Sequence, residues 1–158
     1  MEGARPALPG DLAVCGRLLE EARQTARMLR GGPELLATWG ALGASQPVDE
    51  QWLIDHWTGS DRILFSGTFD EVVVGVGAGH VATRGSERVG TIDCCYVEAD
   101  ARGVGVGTAL AEALVQWFNA ADCVAVDAPA LPGDRATKQL FESLGLSARL
   151  LILHRRLP

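Results

Sequence analysis

Residues 94–107, CCYVEADARGVGVG, combine an arginine with a glycine-rich loop that can bind an anion. Arg102 is followed by Gly103, Gly105 and Gly107, and an alanine- and leucine-rich segment comes next. Glycine costs about 1 kcal/mol relative to alanine inside a helix, so three of them at a helix start need a compensating reason. Without side chains they expose successive backbone N–H groups, where the helix dipole and the charge of Arg102 favour an anion. The pattern predicts a diphosphate-binding loop.

Two common nucleotide-binding motifs fit these glycines poorly. A Walker A loop needs a lysine, which this stretch lacks, and a dinucleotide fingerprint counted from Gly103 puts Thr108 in its last place. A second series, Gly75, Gly77 and Gly79, does fit G-x-G-x-x-A but leads into a hairpin. We interpret that series as strand glycines near a bulge or a close backbone approach. A tight strand-to-helix connection remains an alternative for the first series.

The composition narrows the class of protein. The chain has 158 residues, 47% of them hydrophobic and 22% charged, which is typical of one globular domain over residues 1–158. A net charge of -6 without basic stripes argues against nucleic-acid binding, and no apolar run is long enough to cross a bilayer. With no secretory pattern, we expect a cytoplasmic protein. The four cysteines form no C-x-x-C pair, so we expect reduced thiols and no metal site.

Helical spacing dominates the first third of the chain. Asp11 is predicted to cap a first helix, which stops at the Gly-Gly-Pro of residues 31–33. A third helix is predicted to begin near Pro47, an N1 proline. The stretch between them is also helical in pattern and carries four apolar residues: Leu35, Leu36, Trp39 and Leu42.

After the third predicted helix, apolar residues recur at every second position, as in a strand, instead of every third or fourth. Residues 62–69, 71–82 and 88–97 read as three strands joined by tight turns, which predicts an antiparallel meander. An amphipathic helix follows over residues 106–121. The apolar stretch 123–129 is of the kind found in the middle of a sheet that is covered on both sides.

The C-terminal part completes a mixed α/β order. Asp134 is predicted to cap a helix that ends at Gly145, and a last strand is expected over residues 149–156. Strands that alternate with helices after a meander predict a mixed sheet with helices packed against it.

These motifs resemble the GNAT superfamily of acetyl-CoA-dependent N-acetyltransferases. The signature R-x-x-G-x-G between a strand and an amphipathic helix is matched by Arg102, Gly105 and Gly107. Residues 4–22 resemble the first strand and helix of the family, and residues 137–146 resemble its penultimate helix. The resemblance implies an α/β fold with a GNAT-type mixed, centrally splayed β-sheet flanked by helices on both faces.

The resemblance also implies acetyl-CoA as acyl donor and a place for it. Its pantetheine would lie between the strand ending at Val97 and the strand from Cys123, pairing with the backbone of Tyr96 and Val97. Asp134 stands where the family often has asparagine, and Lys138 could offset its charge or reach a phosphate, although a solvated helix face explains Lys138 equally well. The diphosphate would bind the N–H groups of six consecutive residues: Gly103, Val104, Gly105, Val106, Gly107 and Thr108.

Direct N-acetylation requires that an ammonium group lose a proton before its nitrogen attacks the thioester. In several GNAT enzymes the base occupies the strand positions nine and eleven residues before the signature arginine, which here are Asp93 and Thr91. Asp93 is a carboxylate in an otherwise apolar strand, so something must offset its cost. The alternative is that Asp93 pairs with an arginine or caps a bulge.

One position departs from the family pattern. Phe141 stands where members often have a tyrosine that protonates the leaving sulfur, and Tyr96, the only tyrosine, is expected to pack in the sheet. Water could act as the donor instead, or the protein could bind acyl-CoA and do little chemistry. The three histidines have no partner motif and are interpreted as ordinary: His56, His80 and His154.

The leading hypothesis is an N-acetyltransferase that acts on a primary amine of a small molecule or peptide. The alternative is a catalytically weak acyl-CoA-binding or sensing module, which Phe141 and Asp134 favour, and a nucleotide-binding domain is third. The expected partners are acetyl-CoA and the amine, and the protein could also form a homodimer. The resemblance also implies that the helices with three tryptophans and one acid overhang the acceptor pocket, although core packing is the more frequent role of such tryptophans: Trp39, Trp52, Trp57 and Asp55.

Overall fold

A computed structural model describes residues 1–38, 46–57 and 59–158, and five strands form one mixed sheet within these ranges. Neighbours from β1 to β4 are antiparallel, whereas β5 joins β4 in parallel. The predicted meander is therefore confirmed. In spatial order the strands are β1 (Glu2–Pro6), β2 (Arg62–Phe69), β3 (Val72–Arg84), β4 (Glu87–Val97) and β5 (Ala125–Asp127).

Helices cover both faces of the sheet, as the resemblance implied. They are α1 (Leu12–Arg27), α2 (Gly32–Thr38), α3 (Glu50–His56), α4 (Val106–Ala120) and α5 (Arg135–Ser143). One apolar core joins α1 and α3 to the sheet through residues such as Leu18, Leu53 and Val76. A second core on the opposite face is built around Leu114 and Phe118 of α4. Among the helices in the described ranges, none combines the length and hydrophobicity that a bilayer crossing needs.

The strand glycines explain how closely α4 packs on the sheet. A Cβ atom at Gly79 would lie 2.7 Å from Cζ of Phe118, and one at Gly77 would lie 3.2 Å from Cδ1 of Leu114. A register shift between Ala78 and Gly79 adds a β-bulge at the same place. The interpretation of this series as strand glycines near a bulge or close approach is confirmed, because α4 occupies the space that side chains would need.

Two predictions at the C-terminal end are wrong. Residues 149–156 form no strand, and the apolar side chains of Leu150–Leu153 are exposed. Without that strand, β5 is an edge strand of the described sheet and not a central one, and Val124 beside it is 62% exposed. The physical reason for the missing strand is that an apolar sequence forms a strand only when its backbone pairs with a neighbouring strand. At the start of this segment the contact with β5 is made by a side chain instead, because the Arg149 guanidinium donates hydrogen bonds to the Asp127 carboxylate.

The helix boundaries at the N-terminal end shift from their predicted places. Helix α1 ends at Arg27, before the predicted stop, and Gly32 begins α2 instead of ending α1. Helix α3 is capped by Asp49, whose carboxylate accepts a hydrogen bond from Trp52 N at 2.9 Å, so Pro47 is not its first residue. Trp39 and Leu42 lie outside the described residues.

Of two predicted side-chain caps, the one by Asp11 is wrong and the one by Asp134 is confirmed. Asp11 precedes α1, but its carboxylate bonds Leu8 N and the Arg5 guanidinium instead of the helix. Asp134 caps α5 as predicted, and Gly145 follows this helix with a positive φ of 85°.

Candidate functional site

The strands β4 and β5 pair over only three residues. Their partners are Val89 with Ala125, Gly90 with Val126, and Thr91 with Asp127. Strand β4 continues to Val97, and within the described ranges no strand covers the β5-facing edge of its last six residues. This junction is the splay that the resemblance implied, and its free backbone groups can pair with an extended ligand.

A cavity of about 130 Å³ lies against this unpaired part of β4. Its wall comes from α1, α2, β4 and α5, and most of the lining side chains are apolar. Representative lining residues are Leu36, Asp93, Cys95, Tyr96, Asp134 and Phe141. The cavity therefore brings together Asp93, the predicted base on β4, and Phe141, the position on α5 that departs from the family pattern.

The loop before α4 presents free backbone N–H groups. Gly103 and Gly105 have φ values of 82° and 92°, a region that favours glycine. The first helical hydrogen bond runs from Ala109 N to Gly105 O at 3.0 Å, so the N–H groups of residues 106–108 are not used by the helix itself. A Cβ at Gly103 would meet no heavy atom within 4 Å, so the loop is open. This geometry suits an anion at the positive end of a fifteen-residue helix.

Arg102 contacts the end of β4. Its Nε donates a hydrogen bond to the Val97 carbonyl oxygen at 2.9 Å, and its guanidinium carbon lies 5.4 Å from the centre of the Tyr96 ring. Tyr96 also lines the cavity. These contacts place a positive charge between the cavity wall and the loop.

The two predicted cofactor contacts on α5 have local partners. The Asp134 carboxylate accepts hydrogen bonds from Thr137 N at 3.1 Å and Thr137 Oγ1 at 2.7 Å. Lys138 pairs with Glu142 one turn later on the same helix. Asp134 lines the cavity and Lys138 does not. The cap explains Asp134 and the ion pair explains Lys138, so their contact with a cofactor stays a prediction.

Asp93 is the buried acid of the cavity wall. It is the extra residue of the β-bulge, because Ala78 pairs with Cys94 while Gly79 pairs with Ile92. Its carboxylate is 1% exposed, and a hydrogen bond of 2.7 Å joins Oδ2 to Nδ1 of His80. The other oxygen, Oδ1, is buried and has no hydrogen-bond partner among the described residues.

Burial is the main influence on the ionisation of Asp93. It raises the pKa of the carboxyl, while the hydrogen bond from His80 and the charge of Arg62 act in the opposite direction. Of the alternatives to a base, the bulge is present, and the hydrogen-bonded partner is a histidine instead of an arginine. A buried acid with a raised pKa beside a cavity is a frequent feature of catalytic sites.

His80 is the residue that the sequence interpretation missed. It had no partner motif, yet it contacts Asp93 from the neighbouring strand. A signal was available in the predicted hairpin, since the turn at residues 84–87 puts His80 opposite Thr91. Two residues further along β4 lies Asp93, a diagonal neighbour within reach.

The remaining predicted residues take different places. Thr91 is 6% exposed and does not line the cavity, although it pairs with His80 across the two strands. Phe141 is 5% exposed and forms part of the cavity wall. Trp52 and Trp57 belong to the core under α3, and the Asp55 carboxylate accepts a hydrogen bond from Gln51. The third tryptophan of that prediction lies outside the described residues.

The adjacent cysteines of β4 point to opposite faces of the sheet. Cys94 packs against the core of α1 and α3, and Cys95 against the core of α4. Burial raises the pKa of both thiols, that of Cys95 to about 12. They therefore stay protonated and contribute apolar wall to the cavity.

Comparison with known proteins agrees with this geometry. A family model described as the acetyltransferase (GNAT) family matches residues 33–146. No curated protein matches the sequence. Solved structures do match over nearly the whole chain.

Three of these structures illustrate the likeness. A putative acetyltransferase from Agrobacterium tumefaciens is 18% identical, with a TM-score of 0.71 and coverage of 98% of this chain and 99% of its own. An aminoglycoside acetyltransferase from an uncultured soil metagenomic sample, in complex with sisomicin, is 16% identical, with a TM-score of 0.71 and coverage of 99% and 95%. Glucosamine-6-phosphate N-acetyltransferase from Arabidopsis thaliana is 15% identical, with a TM-score of 0.65 and coverage of 100% and 99%. At these identities the likeness shows the shared fold.

Proposed function

The chain belongs to the GNAT acetyltransferase family, and we propose that it transfers the acetyl group of acetyl-CoA to a primary amine of a small molecule or peptide by direct attack. The observation that carries this proposal is the opening between β4 and β5. The cavity with Asp93 lies along the unpaired part of β4, and the N–H groups of the α4 loop follow directly after that strand.

The residues around this opening fit acetyl-CoA. The open loop from Gly103 to Thr108 offers backbone N–H groups to a diphosphate, and the free edge of β4 at Tyr96 and Val97 offers backbone partners to pantetheine amides. The Val97 oxygen already accepts from Arg102, but a carbonyl has two lone pairs and can accept a second bond. When bound there, acetyl-CoA supplies an acetyl group activated as a thioester.

The basic group in this proposal is the hydrogen-bonded pair of Asp93 and His80. The pair is supported by the position of Asp93 in the cavity wall and by the buried carboxylate that has one unpartnered oxygen. Removing a proton from an ammonium group is the step that such a group would assist, typically by about 10²- to 10⁴-fold. Thr91 remains a candidate of lesser weight, since no hydrogen bond joins its hydroxyl to the pair in the described residues.

The acceptor is proposed to be an amine that carries a positive charge until it loses its proton. Two of the similar structures are named for acetylation of an aminoglycoside and of glucosamine 6-phosphate. The net charge of -6 is compatible with attraction of a cationic amine.

One observation favours a second candidate function, an acyl-CoA-binding module with little turnover. Phe141 forms the cavity wall at the place where a tyrosine hydroxyl would protonate the leaving thiolate. Without that donor, water must supply the proton, and the rate could be low enough that binding is the main function.

Two measurements test the proposal. Thermal shift with acetyl-CoA, CoA and NAD should show stabilisation by the first two only, and stabilisation by NAD alone would favour a nucleotide-binding domain. Thiol release should then be followed over a panel of amines that includes aminoglycosides, amino sugars, polyamines and peptide N-termini. Turnover on any of them supports the enzyme, whereas tight acetyl-CoA binding with no turnover on the panel supports the binding module.

A further inference from the structure

We propose that His80 is the catalytic residue that accepts the proton of the amine, and that Asp93 is the positioning residue that holds its imidazole. The inference rests on the proposed acetyl transfer and assigns separate roles within the basic pair. Three observations carry it: the atom that joins the two side chains, the difference in their exposure, and the unpartnered oxygen of Asp93.

The contact between the two residues fixes which ring nitrogen is basic. When Asp93 is ionised its carboxylate is only an acceptor, so the hydrogen bond of 2.7 Å to Oδ2 then requires the proton on Nδ1 of His80. In the neutral ring the lone pair then lies on Nε2. Within the described ranges Nε2 makes no hydrogen bond, so it is free to take a proton from a ligand.

The two side chains also differ in how much of their surface is exposed. The His80 side chain is 30% exposed, whereas that of Asp93 is 1% exposed. Asp93 lines the cavity, but its carboxylate is almost fully covered and its Oδ2 is occupied by His80, whereas part of the imidazole surface is open. His80 is the accessible end of the pair, and Asp93 is its buried end.

The neighbours of the buried carboxylate compensate its charge only in part. Asp93 Oδ1 has no hydrogen-bond partner in the described part of the chain, and Arg62 of β2 is the other cation that acts on this carboxylate. When His80 gains a second proton, the poorly compensated anion becomes half of an ion pair in a site of low dielectric. The pair thus stabilises the charge that appears on His80 as the amine becomes neutral.

The step balances as follows. One N–H proton of the ammonium passes to Nε2 of His80, and the nitrogen lone pair forms the C–N bond to the thioester carbonyl carbon. The C–S bond breaks with its electron pair on sulfur. Of the two protons left on the attacking nitrogen, one stays as the amide N–H and the other neutralises the thiolate, directly or through water, while His80 returns the proton it accepted to solvent.

The first test separates the two roles by substitution. In His80→Asn the amide N–H can still donate to Asp93, but the side chain has no basic nitrogen. We expect turnover to fall by about 10²-fold or more, with the melting temperature and acetyl-CoA affinity unchanged. His154→Asn, in the exposed C-terminal segment, is the matched control and should keep wild-type turnover. Turnover of His80→Asn within about threefold of wild type would overturn the proposal.

Chemical rescue by added small molecules is a second test, and the two assignments of the base predict opposite results. Added imidazole should restore part of the turnover of His80→Ala, while added formate should restore little in Asp93→Ala, because formate does not hold the His80 ring. Rescue of Asp93→Ala by formate together with failure of imidazole would assign the proton to Asp93 and overturn the proposal.

The tautomer can be read without any substrate. In ¹⁵N-labelled protein, NMR shifts of the His80 ring should show the neutral form protonated at Nδ1, and this preference should be lost in Asp93→Asn. A neutral ring protonated at Nε2 in the wild type would contradict the inference. If the wild type acetylated no amine, the proposed function would fail, and the tautomer would still confirm or contradict the arrangement of the pair.

Discussion

The loop before α4 and the pair of Asp93 and His80 are two opposite ways to build a site. The loop consists of consecutive residues and works through backbone N–H groups, with glycines at positive φ values. The pair consists of side chains thirteen residues apart on two strands, joined at a β-bulge. In the proposed function the first would bind charge with the main chain, and the second would move a proton with titratable groups.

This difference separates affinity from rate. A loop that holds the diphosphate interacts with the ground state and the transition state alike, so damage to it should weaken binding more than turnover at saturation. A base acts on a proton that moves only during the reaction, so damage to it should lower turnover and leave binding intact. Substitutions in the two regions should therefore produce opposite kinetic signatures.

The largest effect is expected for Asp93→Asn. An amide cannot hold the His80 ring in the Nδ1-protonated form as a carboxylate does, so kcat should fall by about 10²- to 10⁴-fold. The dissociation constant for acetyl-CoA, measured by calorimetry, should stay within about twofold. Asp100→Asn, in the exposed turn after β4, is the matched control. A large loss of acetyl-CoA affinity in Asp93→Asn would break the separation of the two regions.

The stability of the same variant tests whether Asp93 has a purely structural role. Burial raises the pKa of this carboxyl above its ordinary 3.8, so ionisation costs folding free energy at pH values above the folded-state pKa. The cost is absent below the unfolded-state pKa. Asp93→Asn should therefore be at least as stable as wild type at pH 7 in urea unfolding, with an advantage that shrinks towards pH 4. A clear loss of stability at pH 7 would indicate a structural carboxylate.

Gly105→Ala should have the next largest effect, and on affinity. A side chain at a φ of 92° is strained, and its Cβ would lie 3.1 Å from Cγ of Glu2. We expect acetyl-CoA to bind at least about tenfold more weakly, because the strain moves the N–H groups that would hold the phosphates, while kcat at saturation changes little.

Gly85→Ala is the matched control for the loop. Gly85 also has a positive φ, of 64°, but lies in the hairpin between β3 and β4 with open space around it. Both variants should lose about 1 kcal/mol of folding stability. Equal losses of acetyl-CoA affinity in the two would show that the loop is not the phosphate site.

Phe141→Tyr tests the rate of the reaction by adding a catalytic group instead of removing one. The ring keeps its packing in the cavity wall, and the new hydroxyl adds a proton donor near the position of the sulfur. If thiolate departure limits the rate, kcat should rise, by less than about 10²-fold, without a change in acetyl-CoA affinity. Steady-state rates on the same amines decide the point. An unchanged or lower rate would mean that another group already supplies the proton.

The smallest effect is expected for Arg102→Ala. This exposed side chain contributes a single charge beside a site made mainly of backbone, and such contacts are screened by solvent. Acetyl-CoA affinity should fall by about threefold to tenfold, less than in Gly105→Ala, with kcat preserved. Arg155→Ala in the exposed C-terminal segment is the control for loss of charge alone. Equal affinities of wild type and Arg102→Ala would remove Arg102 from the site.

Features with a local cause could be predicted well. The meander, the amphipathic α4 and the Asp134 cap of α5 depend on residues within a few positions of each other, and all three are present. The error at Pro47 has the same origin, because two residues later Asp49 offers the better cap.

Features that need a distant neighbour were harder to predict. The apolar residues 149–156 have strand-forming side chains, but strand formation depends on a backbone partner that the sequence does not specify. The Asp93 carboxylate was recognised as unusual, but its partner His80 was not, since their contact depends on the register and the bulge of β3 and β4.

The sequence by itself therefore determined the glycine loop, the order of the elements from α1 to α5 and the presence of one acid in an apolar strand. These follow from backbone conformation and from periodicity, which act over short distances along the chain. Only the tertiary structure decided that β5 separates from β4 after Thr91, that a cavity opens there and that His80 holds the buried acid. Such relations depend on packing between residues far apart in sequence, where one bulge changes which side chains meet.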